Sequence, residues 1–174
     1  MLGLIKEQRS LLDLIKNQLS NYIDNYEFVI VHEFVNDDNF GITYLNKEMQ
    51  IRLVSYHRDL YVYSSPTFDL EEEASIFNIM NFMNLKKSIK ISPDYYYDLE
   101  SINEAFCKQV EFISCVLKEN MDILVKFHAK KGFKKRIKEL GEYVMTNNPE
   151  IFNKNKIKPN KAIQPGRSKK RSAC

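Results

Sequence analysis

Apolar residues recur at nearly every third or fourth position at the start of the chain. Leu4, Ile5, Leu11, Leu12, Ile15, Leu19 and Ile23 are interspersed with Lys6, Glu7, Arg9, Lys16 and Asn17. That spacing predicts an amphipathic helix over residues 3–23, with a stripe broad enough to lie on a sheet. The period then changes. YEFVIVHEFV (26–35), FGITYL (40–45), MQIRLVSY (49–56) and LYVYSS (60–65) are rich in β-branched and aromatic residues, and NDDN, NKE and HRD between them carry turn chemistry. Connections this short join antiparallel neighbours, so a four-stranded meander is predicted. Strict alternation in the first strand places Phe28, Ile30, His32 and Phe34 on one face and Val29, Val31, Glu33 and Val35 on the other, with partial cover on each side.

Helical periodicity returns after Pro66. FDLEEEASIFNIMNFMN (68–84) reads as a buried helix whose N-terminus is capped by Asp69 with Glu72 three positions on, the acids suiting the positive helix end. SIKISPDYYY (88–97) reads as a short edge strand stopped by Pro93. Leu99, Ile102, Phe106, Val110, Ile113, Leu117, Met121, Leu124 and His128 then mark a long helix over about residues 98–130, ended near Gly132. Its negative pole favours a protonated His128. Spacing alone leaves open whether this helix packs within one chain or across a dimer. Ile137, Leu140 and Val144 mark a last helix, stopped by Asn147-Asn148-Pro149. The predicted fold is therefore α+β: an N-terminal helix, a four-stranded antiparallel meander and three further helices, one of them long. These form a single domain over 1–152, followed by a disordered tail over 153–174.

Charge divides the chain at the same point. The net charge of +3 hides an asymmetry, because residues 153–174 hold eight Lys and Arg and no acid. The remaining 18 basic residues face 23 acids, so residues 1–152 carry −5. A basic pI thus belongs to the tail, and a nucleic-acid argument built on the whole chain would mislead. Cys107, Cys115 and Cys174 have no metal-ligand spacing and read as free thiols in a reducing cytosol. The N-terminal apolar run is too short for a signal peptide or a membrane span. A cytoplasmic protein is expected.

Several short strings imitate catalytic or metal motifs without their partners. His57-Arg58-Asp59 spells the start of a kinase catalytic loop, but Ser64 stands where the metal-binding Asn belongs, and no glycine-rich loop or D-F-G accompanies it. The triplet reads as a hairpin corner. His32-Glu33 opens a zinc-protease motif whose second His is replaced by Asn36, and neighbours on a strand point to opposite faces. His32 is expected to be partly buried and hydrogen-bonded. Asp37, Asn39 and Glu48 are spaced like calcium ligands, but Gly41 is one position early and the segment is strand-like. Cys107 and Cys115 read as small core residues of the long helix, and Glu71-Glu72-Glu73 as stabilisers of a helix start. No catalytic residue, metal site or cofactor is expected.

Tyr95-Tyr96-Tyr97 stands apart. Three consecutive tyrosines cannot all face one core, so at least one is available to a partner, or the rings lie flat over a sheet edge. Tyr61 and Tyr63 share one face of the fourth strand and extend that surface, with Arg58 and Asp59 as rim contacts. In the tail, Arg167, Lys169, Lys170 and Arg171 can grip phosphates without sequence preference. A leading helix, then NFGITYLNKEMQIRLVSYHRDLYVYSS, then helices without a catalytic set resembles the small cytosolic immunity proteins of bacterial toxin systems. The order of elements is also similar to type III secretion chaperones, which return to strands where this chain continues as helix. The resemblance to immunity proteins implies a protein that binds a cognate toxin and blocks its active site, often through an acidic face, and the Asn/Ile/Lys-rich composition suits a bacterial or phage source. The expectation is thus a non-enzymatic protein-binding module, able to form a homodimer. The alternative is a nucleic-acid-associated accessory protein acting through the tail.

Overall fold

The computed structural model describes residues 2–37, 39–84 and 91–147. Helix α1 (Leu2–Ile23) runs through a single 3-10 turn, Asp24–Tyr26, into β1 (Val29–Val35). β2 (Phe40–Leu45), β3 (Met49–Tyr56) and β4 (Asp59–Pro66) follow as a meander, and β5 (Ala74–Ser75) adds a two-residue fifth strand. The sheet is antiparallel throughout, in the order β1-β2-β3-β4-β5. Three helices complete the chain: α2 (Ile76–Met83), α3 (Ile102–His128) and α4 (Phe133–Asn147). The α+β class, the meander and the three further helices agree with the sequence pattern, and the sheet has one strand more than expected.

One face of the sheet forms the core. Phe40, Ile42 and Tyr44 of β2, Ile51 and Leu53 of β3, and Leu60 and Val62 of β4 are buried in register with one another. Against them lie Leu12, Ile15 and Leu19 of α1 and Phe106, Val110 and Ile113 of α3. Helix α3 packs on α1, α2, α4 and β4 of its own chain, so its apolar stripe is satisfied within the monomer. Burial on this scale is the main stabilising term, since each fully buried Leu, Ile or Phe side chain contributes about 1.5–3 kcal/mol.

β1 departs from strict alternation. A bulge at Val31 sits between Ile30, opposite Tyr44, and His32, opposite Thr43. Past the bulge the faces exchange, so Glu33 and Val35 join Ile30 on the helix side while His32 and Phe34 turn to the open side. His32 is consequently exposed rather than partly buried, with its ring 6.0 Å from that of Phe34. Phe34 covers Gly41, where a Cβ would come within 2.5 Å of the Phe34 ring. Only glycine allows that cross-strand contact.

Between β4 and α2 the expected helix start at Asp69 does not form. Residues 67–73 make turns, and the helix begins at Ile76 after Ser75. The acids that resemble a capping box are used at long range instead. Asp69 and Glu72 accept hydrogen bonds from Lys134 of α4, at 2.5 and 3.3 Å, and Glu73 pairs with Arg52 of β3. The expected edge strand is absent from residues 91–97, and its first residues, 88–90, lie outside those described. The sheet edge next to β4 is taken by Ala74–Ser75. Cys115 is exposed and Cys107 half-buried, so neither is a core residue; both sit off the stripe of α3 that faces the sheet.

The α3–α4 corner is closed by a guanidinium. Gly132 adopts φ +77, and Arg136 donates to the carbonyls of Phe127 (2.8 Å), Ala129 and Lys131 (2.8 Å). These are the carbonyls that a helix C-terminus leaves without partners. His128 lies beneath this corner, almost fully buried, with Nε2 2.8 Å from Ser64 Oγ and Nδ1 without a partner. Burial, and secondarily the charge of Arg136, pushes its pKa down to about 4. The helix-end preference for a protonated ring is overridden by desolvation. The unfolded chain then binds a proton at His128 below about pH 6.5 that the folded chain takes up only near pH 4, so stability falls as pH drops through that window. Between pH 7 and pH 5 the loss is expected to be about 2 kcal/mol. Urea denaturation at the two pH values measures it, and a His128→Gln variant should lose that part of the pH dependence.

Candidate interaction surface

The uncovered face of the sheet is built by alternation along β3 and β4. Leu60 and Val62 enter the core, so Asp59, Tyr61 and Tyr63 point the other way, beside Arg52 and Val54 of β3. The β3–β4 connection is a two-residue turn, with Tyr56 opposite Asp59 and His57 at φ +55. Histidine tolerates this left-handed conformation better than β-branched residues do. His57-Arg58-Asp59 is therefore the corner of a hairpin, and its position brings Arg58 and Asp59 to the end of the open face.

Residues 91–100 lie across that end. Asn81 of α2 holds Ile91 at both backbone groups, donating to its carbonyl at 2.6 Å and accepting from its N–H at 2.8 Å. Asp94 accepts from the N–H of Tyr96 at 2.9 Å, and Leu99 N–H donates to the Tyr96 carbonyl at 3.1 Å. Tyr96 takes φ +51 to complete the turn. Arg58 donates to the Leu99 carbonyl at 2.6 Å, and Ser101 caps α3 by accepting from Glu104 N–H.

Gln109 joins these pieces. It projects from α3, 1% exposed, and its Oε1 accepts from Leu60 N–H at 2.8 Å. Its Nε2 donates to the Arg58 carbonyl at 2.8 Å and, at 3.4 Å, to that of Tyr95. One amide thus ties the hairpin corner and the tyrosine segment to the long helix.

The result is a cluster of rings around one carboxylate. Tyr61 and Tyr95 lie 5.9 Å apart and Tyr95 and Tyr97 5.7 Å apart, both pairs tilted. Asp59 accepts from Tyr97 Oη at 2.5 Å and from Tyr61 Oη at 3.0 Å. The Arg58 guanidinium lies 5.9 Å from the Tyr97 ring centre. Tyr97 is 60% exposed, and Tyr56 near the turn is 56% exposed. Tyr63 stands beside this cluster with its own cation, the Arg52 guanidinium 5.2 Å from its ring centre and forked onto Glu73.

Electrostatics follow the geometry. The Tyr97 hydroxyl is held above its usual range mainly by its hydrogen bond to Asp59. Burial raises Tyr61, with Asp59 adding to it, and pushes Tyr95 up to about 12. Burial likewise raises Tyr63, and the hydrogen bond to Glu73 raises Arg52. The phenols therefore stay neutral donors at any physiological pH.

Of the residues singled out from sequence, Tyr61, Tyr95, Tyr97, Arg58 and Asp59 meet in one cluster and Tyr63 adjoins it. Tyr96 is half-buried and contributes its backbone to the turn. Arg167, Lys169, Lys170 and Arg171 lie outside the described residues. Sequence reasoning missed Gln109, Asn81, Arg52 and Glu73. Gln109 did carry a signal, a polar residue three positions after Phe106 and four before Ile113 on the apolar stripe.

An Asp59→Asn variant should bring the Tyr97 hydroxyl, and to a smaller extent Tyr61, back toward the usual tyrosine range. Ultraviolet pH titration of tyrosine ionisation reads this directly, with more phenolate at pH 10.5 than the native chain shows.

Among the described residues no group of three or more His, Cys, Asp or Glu side chains is placed to hold a metal ion. No described helix is long and apolar enough to cross a membrane. Comparison with protein-family models, with curated proteins and with solved structures finds no match to this chain.

Proposed function

We propose that this protein is a non-enzymatic binding module that engages a protein partner through the Tyr61–Tyr95–Tyr97 cluster, and that it acts as an immunity-type inhibitor of a toxin. One observation carries the reading. Tyr97 is largely exposed, yet its ring is held by Tyr95, Arg58 and the carboxylate of Asp59. An exposed aromatic ring held in one place offers contact area at little entropic cost, the property of an interface anchor.

The charge around the rings favours a basic partner. Asp94, Asp98 and Glu100 are exposed beside the cluster, and Arg58 is engaged by the Leu99 carbonyl. An acidic rim around neutral phenols speeds encounter with a basic surface and rejects acidic ones. That suits a toxin whose own site is cationic. The alternative, a nucleic-acid accessory protein, rests on the composition of residues 153–174.

Co-purification from the native host, with mass spectrometry of the bound protein, should recover a toxin. Tyr97→Ala and Tyr95→Ala should each weaken its binding by about tenfold or more, with the fold intact by circular dichroism. Deletion of residues 153–174 should leave that affinity unchanged. If deletion instead abolishes a salt-dependent binding to DNA or RNA and the tyrosine variants are silent, the accessory reading holds.

A further inference from the structure

We propose that the α3–α4 corner docks on an anionic lipid bilayer, with Phe68 and Leu70 entering the interface and the surrounding lysines meeting the headgroups. Between Asp122 and Glu139 the chain holds no acid but six lysines and one arginine. Lys126, Lys130, Lys131, Lys134, Lys135 and Lys138 are all exposed. The other eleven basic residues of 1–152 stand against 23 acids, so the corner is the positive pole of an otherwise acidic body. Among the described residues Lys126, Lys130, Lys131 and Lys138 have no acidic partner. The negative pole at the end of α3 is itself covered, since Arg136 donates to the carbonyls of Phe127, Ala129 and Lys131.

An apolar pair sits beside these lysines. Phe68 and Leu70, on the turn between β4 and β5, are 44% and 47% exposed. The turn is fastened to the corner by three contacts. The Phe68 ring lies edge-to-face with Phe133 at 5.4 Å, and Lys130 Nζ is 6.0 Å from the Phe68 ring centre. Lys134 donates to Asp69 at 2.5 Å and to Glu72 at 3.3 Å. With Glu73 held by Arg52, three of the four acids of the turn are paired, and Glu71 is the one left exposed. Apolar side chains bordered by lysines match the layers of a membrane interface. The rings and methyls enter the acyl boundary while the amines reach the headgroups.

The cations select lipid over nucleic acid. Arg136, the corner's arginine, is engaged by backbone carbonyls, so no planar fork faces outward to fix a phosphate in register. Leu70 has no ring to stack on a base, and Phe68 is already engaged by Phe133 and Lys130. Lysines supply a field without fixed geometry, which is what a fluid headgroup layer requires. The tyrosine cluster gathers at the other end of α3, a helix of 27 residues and so about 40 Å long. Docking at the corner therefore leaves that cluster open and does not depend on its function.

Co-sedimentation of the full chain with vesicles tests this. The chain should bind phosphatidylcholine vesicles that contain about one-third phosphatidylglycerol, should not bind phosphatidylcholine alone, and should release as salt rises. Lys130→Gln, Lys131→Gln and Lys135→Gln together should weaken binding about a hundredfold. Lys169→Gln, Lys170→Gln and Arg171→Gln together remove the same charge and should weaken it by less than about tenfold. Leu70→Ser should weaken vesicle binding about fivefold and leave any binding to random-sequence DNA or RNA unchanged. The substituted corner lysines and Leu70 are exposed, so circular dichroism should not change. A chain that ignores the anionic vesicles overturns the proposal. So does vesicle binding lost with the 169–171 substitutions but not with those at the corner, or a silent Leu70→Ser. Tighter, corner-dependent association with DNA or RNA than with vesicles would make this a nucleic-acid face instead.

Discussion

The arrangement of the open face depends on the Gln109 amide. A primary amide at this depth costs free energy unless its oxygen and its N–H groups find partners. Here the partners are backbone groups of two other segments, the hairpin corner at Arg58 and Leu60 and the turn at Tyr95. The contact is specific in a way that apolar burial is not, because sliding the hairpin by one residue would leave both the amide and the backbone unpaired. Each orphaned group would cost about 1–3 kcal/mol. Long helix, sheet and tyrosine segment are thereby held in a single relative placement.

From that placement the surface follows. Asp59 stands at the first position of β4, and its two oxygens receive one phenol from Tyr61 of its own strand and one from Tyr97, 38 positions on in the chain. Asn81 fixes the start of the tyrosine segment and Ser101 its end. A stretch with no regular secondary structure is in this way anchored at both ends by side-chain hydrogen bonds. Such preorganisation is what lets a small patch bind, since the ordering cost is met in folding rather than at encounter.

Most of the architecture is legible in the sequence because it rests on periodicity. Leu12, Ile15 and Leu19 announce α1, the alternation from Met49 to Tyr56 announces β3, and the spacing from Phe106 to Leu124 announces α3. The failures share a cause: local signals overruled by distant partners. Asp69 and Glu72 imitate a capping box, but Lys134 lies within reach and Ile76 starts the helix. His128 sits at a helix end that favours the imidazolium, yet Phe127, Phe133 and Ser64 enclose it. One bulged residue, Val31, reverses the faces of half a strand, and no local feature of VIVHEFV marks where the extra residue falls. The tyrosines of the candidate surface could be picked out from their density alone. The carboxylate and amide that organise them could not, since Asp59 and Gln109 acquire their roles only when the hairpin folds against α3.

Tyrosine titration of a Gln109→Met variant, which keeps the side-chain volume and removes the hydrogen bonds, reads whether Gln109 holds the tyrosine cluster in place. With the core intact by circular dichroism, Tyr95 and Tyr97 should lose their raised ionisation range and titrate like free tyrosine, near pH 10. A variant that is folded and still shows Tyr95 ionising near pH 12, as in the native chain, would contradict it.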